Sequence, residues 1–297
     1  MQKILSMRKP GIILSMLFML FVVAGCEKDD ATVSQELLEE TTFAENVFAQ
    51  LSSDVDDAVP FEGVSSGRKG FLGFGCGFSN CMTRTVETLE NEDYPKIITI
   101  EYEGDCTSSF KNVTKSGKII ITLTGHPSEV GSQRIVTFVD FMVNDNAITG
   151  TKTITYNGAG QFMSSLKDGN IITKDGDVII RESTKTKTLV EGGDTEDRSD
   201  DVYNVTGEIT GAIIDKDSGD EISYTKVIDE NNPLRISRDC FWITRGIVTT
   251  TIGGAVNTVD FGDGTCDDLA TRIDADGEEI FTMEMRIKKM WRHHFKK

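Results

Sequence analysis

Ile98-Thr99-Ile100-Glu101-Tyr102 places Ile98, Ile100 and Tyr102 on one side of an extended chain and Thr99 and Glu101 on the other. That period of two is the mark of a half-buried β-strand. The stretch recurs as Thr258-Val259-Asp260-Phe261, and in both places the aromatic stands 21 residues after a cysteine, Cys81 before Tyr102 and Cys240 before Phe261. A second cysteine follows, Cys106 or Cys266, and 11 residues later a glycine, Gly117 or Gly277. Cys81–Leu123 and Cys240–Met283 therefore read as two copies of one unit.

Outward from these copies, Ile119–Leu123 and Gln133–Val143 continue the β pattern. Turn chemistry recurs at Lys115-Ser116-Gly117, Asn144-Asp145-Asn146, Lys167-Asp168-Gly169-Asn170, Lys174-Asp175-Gly176-Asp177, Glu191-Gly192-Gly193-Asp194, Asp217-Ser218-Gly219-Asp220 and Asp274-Ala275-Asp276-Gly277. Turns this short join antiparallel neighbours, because parallel strands need longer crossovers. The expected fold is all-β: an antiparallel, long-stranded meander of about a dozen strands, as a sandwich or an open barrel-like sheet. This duplicated body spans residues 63–287. Before it, residues 26–62 form an acidic tether. Leu37, Leu38, Phe43, Val47, Phe48 and Leu51 recur there at roughly helical spacing and predict a short amphipathic helix within Ser34–Ser52, docked on the β body.

Two threonine rows stand out. Thr149, Thr151, Thr153 and Thr155 share one strand face, with Ile148, Ile154 and Tyr156 opposite. Thr184, Thr186 and Thr188 share another, with Arg181, Ser183, Lys185 and Lys187 behind them, so that strand is polar on both sides. Both read as solvated sheet surface with good β propensity. A wet cleft lined by the second strand is the sharper alternative.

Residues 1–25 read as a targeting segment. Lys3, Arg8 and Lys9 precede an apolar run, Gly11 to Ala24, that is short for a bilayer span. Val23-Ala24-Gly25-Cys26 resembles the lipobox of bacterial lipoproteins, which makes Cys26 the lipidation site and the membrane a partner through that anchor. Glu27-Lys28-Asp29-Asp30 resembles the acidic export signal of surface-exposed Bacteroidota lipoproteins. The expected location is the outer membrane, exposed at the cell surface, with a periplasm-facing chain as the alternative. Such a compartment permits disulfides. The duplication pairs Cys81 with Cys106 and Cys240 with Cys266, each loop contributing about 3 kcal/mol, and leaves Cys76 over.

The chain carries 48 Asp and Glu against 31 Lys and Arg, a net charge of −17. Three of the basic residues lie in the targeting segment, so the mature chain is more acidic still. Such a field repels phosphate backbones, and nucleic acid is not expected as a partner. A basic tail, residues 288–297, closes the sequence around Trp291 and suits anionic headgroups.

No catalytic constellation emerges. His126 precedes Pro127, and His293 and His294 lie in the tail, so no Ser-His-Asp or Cys-His arrangement is supported. Gly63-Val64-Ser65-Ser66-Gly67 matches the hydrolase elbow pattern but lacks the preceding strand and following helix. Asp274, Asp276, Glu278 and Glu279, like Asp215, Asp217 and Asp220, are expected to be hairpin turns rather than calcium loops, since neither fits the D-x-D-x-D-G spacing. No metal or cofactor is expected. Asp260-Phe261-Gly262-Asp263-Gly264 resembles the signature of polycystic-kidney-disease-type modules, without their preceding Trp or downstream Pro-x-His-x-Tyr.

Gly117 to Thr122, Ile148 to Thr155, Asp201 to Gly207 and Gly262-Asp263-Gly264-Thr265-Cys266-Asp267, taken together, resemble a group of Bacteroidota lipoproteins of unknown function. The resemblance covers the chain from about Cys81 onward and brings no activity with it. The expectation is a cell-envelope lipoprotein that binds or scaffolds an envelope protein or glycan and is not an enzyme. The alternative is an exported hydrolase such as a carbohydrate-active enzyme.

Overall fold

The computed structural model describes residues 35–58, 81–88, 92–107, 113–195, 197–240 and 242–283. One helix, α1 (Gln35–Ala58), precedes fourteen strands. These are β1 (Met82–Thr88), β2 (Lys96–Thr107), β3 (Thr114–Leu123), β4 (Gln133–Val143), β5 (Asn146–Gly158), β6 (Gln161–Ile172) and β7 (Val178–Glu191). The rest are β8 (Val202–Ile214), β9 (Glu221–Ile228), β10 (Leu234–Ser237), β11 (Ile243–Ile252), β12 (Ala255–Asp263), β13 (Leu269–Asp274) and β14 (Gly277–Thr282). The meander expected from the turn chemistry is present, and all its strands belong to one antiparallel sheet rather than to the two layers of a sandwich.

Strand follows strand from β1 to β8 in sequence order. Beyond β8 the chain splits one sheet position between two strands. Gly207–Ile214 of β8 pairs with β9, whereas Val202–Val205 pairs with β10, and both β9 and β10 then pair with β11. β1 and β14 lie at the two ends of the hydrogen-bonded path and do not pair with each other among the described residues, so the sheet is open.

Two stretches expected as turns lie inside strands. Lys115-Ser116-Gly117 is in β3 and Lys167-Asp168-Gly169-Asn170 is in β6, each at a register shift. Gly117 has φ +80°, and a Cβ there would lie 2.1 Å from the carbonyl oxygen of Asp140, itself a positive-φ residue in the shifted part of β4. Glycine and aspartate supply positive φ to bulges as readily as to turns, so the same letters bend a long strand here instead of ending it. The remaining turn stretches do separate strands.

The two disulfides match the pairing drawn from the repeat: Cys81–Cys106 and Cys240–Cys266, with Cα atoms 5.5 Å and 5.8 Å apart. Each closes an antiparallel hairpin, β1–β2 or β11–β12. The glycines of the two copies are not equivalent, since Gly117 sits within a third strand and Gly277 opens a fourth.

α1 is longer than its expected span and continues to Ala58. Thr41, Ala44, Phe48, Leu51 and Val55, spaced three and four apart, are its buried stripe. They share one core with Ile98 and Ile100 of β2, Ile119 and Ile121 of β3 and Val136 of β4, none more than 2% exposed. The stripe expected from Leu37 to Leu51 is thus centred correctly, with Leu37, Leu38, Phe43 and Val47 packed at its margins. Burying each large apolar side chain contributes about 2 kcal/mol, which is what makes α1 part of the fold rather than a tether.

Candidate functional site

The α1-facing side of the sheet is not uniformly apolar. Directly opposed residues run across it from Ile98, Ile121 and Val136 on β2–β4, through Lys152, Leu166 and Ser183 on β5–β7, to Ile209 and Lys226 on β8 and β9. Along β7 the same side carries Arg181, Lys185 and Lys187, while Glu182 and Glu208 lie on the opposite side by strand alternation. A chain of strongly negative net charge therefore keeps a cationic patch beneath its helix.

Glu45 of α1 stands at the centre of that patch. Its Oε1 lies 3.4 Å from Lys185 Nζ and 3.9 Å from Arg181 Nη2, and its Oε2 lies 3.4 Å from Lys226 Nζ. Arg181 and Lys185 are four residues apart on β7, about 13 Å along the strand. Lys226 is two ladder steps away in the row of Ser183, midway between them. Glu45 reaches all three from α1, where it stands one residue after buried Ala44. The side chains of Arg181 and Lys226 are 3% and 8% exposed, so these charges interact with little solvent screening.

Local glycines shape the patch. Gly211 on β8 lies opposite both Arg181 and Tyr224, and a Cβ there would come within 2.6 Å of the Tyr224 ring. Without that carbon the ring lies across β8, and the Tyr224 hydroxyl donates to the Ile180 carbonyl at 3.1 Å. Nη1 of Arg181 is buried and has no hydrogen-bond partner. Three cations around one carboxylate, with an unused donor beneath, form an arrangement suited to a further anion.

Burial disfavours the Lys226 ammonium and lowers its pKa below 10.5, against the pull of Glu45 and with the push of Arg181. Burial likewise raises Tyr224 above 10.0, with Arg181 opposing, and raises Tyr203 above 10.0, helped by its bond to Asp201. Between the lowered Lys226 value and 10.5 the unfolded chain holds a proton that the folded chain has released. Stability against urea is therefore expected to rise with pH within that window until the tyrosines begin to titrate in the unfolded chain at 10.0. Above pH 10 the folded phenols keep protons that the unfolded chain loses, and stability falls. Lys226→Met is expected to abolish the rise and leave the fall; a rise that survives the substitution would exclude Lys226 as its source.

A second cluster fastens the segment leading to Cys240. The Tyr203 hydroxyl donates to buried Asp201 at 3.0 Å, and Arg238 Nε stands 3.6 Å from the same carboxylate oxygen. Lys187 Nζ lies 3.9 Å from the centre of the Tyr203 ring.

The sequence-predicted residues distribute as follows. Arg181, Lys185 and Lys187 read in the sequence as one side of a solvated strand; Arg181 and Lys185 instead meet Glu45 of α1 and Lys187 lies over the Tyr203 ring, and for Arg181, among the most buried polar residues, that expectation is corrected. The threonine row of β5 lies on the side opposite Lys152. His126 is half-buried, and both the hydroxyl and the backbone N–H of Ser128 converge on its Nδ1, closing a loop. Asp215 accepts backbone N–H bonds from Asp217 and Ser218, and Asp263 accepts from Thr265, as turn aspartates do. The bonds from Ser218 are the main cause of a lowered Asp215 pKa, and the Thr265 hydroxyl is the main cause at Asp263. Cys26, Cys76, the Gly63–Gly67 stretch, His293, His294 and the basic tail lie outside the described residues.

Glu45, Tyr224 and Lys226 were not singled out from the sequence, although each left a signal. Glu45 occupies an apolar-stripe position of an amphipathic helix, and Lys226 occupies a buried-parity position in Ile222-Ser223-Tyr224-Thr225-Lys226-Val227-Ile228. No protein-family model matches this chain, and neither a curated protein nor a solved structure does.

Proposed function

We propose that the protein is a lipid-anchored component of the cell envelope, held at the outer membrane through Cys26, whose sheet binds an anionic ligand outside the membrane. The observation that carries the binding reading is the convergence of Arg181, Lys185 and Lys226 on one carboxylate in a chain of net charge −17. Holding like charges together beneath a helix is costly, and a fold that needed only stability would do as well with apolar side chains there. The two disulfides support an oxidising compartment, and the lipobox-like Val23-Ala24-Gly25-Cys26 supports the anchor.

The test is mass spectrometry of the N-terminal peptide from the membrane fraction, together with protease shaving of intact cells. A chain beginning at acylated Cys26, cleaved by external protease and released from the membrane by Cys26→Ala, is the expected result. An unacylated Cys26, or a cytoplasmic chain with reduced cysteines, would overturn the reading.

A further inference from the structure

The α1-facing side of the sheet is divided in two. Over β2–β4 it is apolar, with Ile98, Ile100, Ile119, Ile121 and Val136 almost fully buried. Over β7–β9 it is cationic, with Arg181, Lys185 and Lys226 gathered on Glu45. Three ladder steps, about 14 Å, separate β4 from β7. That distance is close to the length of one acyl chain, about half of a ~30 Å hydrocarbon core. The group now lying across both halves is α1, which offers a carboxylate to the cations and Ala44, Phe48, Leu51 and Val55 to the apolar core.

α1 itself thus has the chemistry of an anionic amphiphile. It contains seven acidic residues and no basic one, and its last turn has no cation to offset the carbonyl end of the helix dipole. Its order therefore depends on the sheet beneath it. α1 leaves one donor of the patch unused: Nη1 of the buried Arg181 side chain has no hydrogen-bond partner.

We infer that the face under α1 is a binding site for an anionic lipid, whose headgroup takes the place of the Glu45 carboxylate among Arg181, Lys185 and Lys226 and whose acyl chain replaces the apolar stripe of α1. The inference rests on the binding role proposed above and names the ligand class of that site. α1 is then an intramolecular stand-in that keeps the site closed until a lipid competes for it. Glu45 opposes binding even though it stabilises the empty protein.

The experiment titrates the full mature chain with dioctanoyl phosphatidic acid, whose chains together with the glycerol backbone come close to the span from β4 to β7, below its micelle concentration. Dioctanoyl phosphatidylcholine and inorganic phosphate serve as comparisons, and calorimetry and hydrogen exchange are the readouts. Phosphatidic acid is expected to bind at least about tenfold more tightly than either comparison, with Gln35–Ala58 losing amide protection while β7–β9 keep theirs. Glu45→Gln is expected to tighten binding about tenfold, and Lys185→Gln to weaken it about as much. Lys185 is partly exposed, so its variant remains informative should Glu45→Gln fail to fold. Phosphate binding as tightly as phosphatidic acid would make this a free-anion site and overturn the lipid. Equal binding of phosphatidylcholine, unchanged protection of α1, or weaker binding by a folded Glu45→Gln would overturn the site itself. None of these failures would alter the acylation result at Cys26, so the two readings fall separately.

Discussion

Glu45→Ala is expected to destabilise the protein by about 3 kcal/mol, the low end of the range for breaking a buried ion pair. The loss leaves Arg181 and Lys226 facing each other beneath α1 with little access to water. Three features keep the effect from being larger. Glu45 is itself 32% exposed, so part of its interaction is already screened, and Lys185 is exposed enough to be hydrated once the carboxylate is gone. Lys226 also has an outlet, because burial has already moved it towards the neutral amine. Urea denaturation at neutral pH measures the loss. In a double-mutant cycle Lys226→Met should recover much of it, since that change removes a buried charge that has lost its partner. A Glu45→Ala variant as stable as the parent would mean that the patch is hydrated and the ion cluster carries no weight.

The second large effect concerns the disulfides, which provide a controlled comparison. Their loops differ by one residue, 25 against 26, so the chain-entropy contribution, about 3 kcal/mol, is the same for both. Their surroundings differ. Cys106 is 1% exposed and belongs to the core with Tyr102 and Phe141, whereas Cys266 is exposed. Replacing Cys81 and Cys106 together by alanine removes the crosslink and also a buried sulfur, a further loss of about 1 kcal/mol. The Cys240 and Cys266 double variant should lose the crosslink contribution alone. Thermal or urea denaturation of the two variants side by side decides the point, and equal losses would show that burial of Cys106 contributes nothing. Graded reductant should also open Cys240–Cys266 first, because the thiolate must reach a sulfur and only that pair has an exposed one.

The repeat carried more structural information than any motif. Asp260-Phe261-Gly262-Asp263-Gly264, the most motif-like letters in the chain, run through the end of β12 into the turn before Cys266, where Asp260 and Asp263 cap backbone N–H groups. Their counterparts Glu101 and Tyr102 occupy the matching strand before Cys106, with no Gly-Asp-Gly behind them. What the two copies share is a hairpin with a crosslink across it.

Sequence alone determined the class of fold, the antiparallel order of its strands, the existence of the helix and the partners of four cysteines. All of these rest on short-range physics: side-chain alternation, turn conformation, helical spacing and the pairing of like positions in a repeat. Tertiary structure decided that the strands form one open sheet, that two apparent turns are bulges, and that β9 and β10 share one position. Above all it decided the fate of Arg181, Lys185 and Lys226. As letters Arg181 and Lys185 are charges on a strand that is polar on both sides, and such strands are ordinarily solvated, while Lys226 is a lone charge on the apolar face of β9. The three are gathered by α1, which sits more than a hundred residues earlier in the chain and brings Glu45 within reach of all of them. A charge becomes a site only when a partner excludes water from it, and no local pattern in β7 or β9 records which helix will do so.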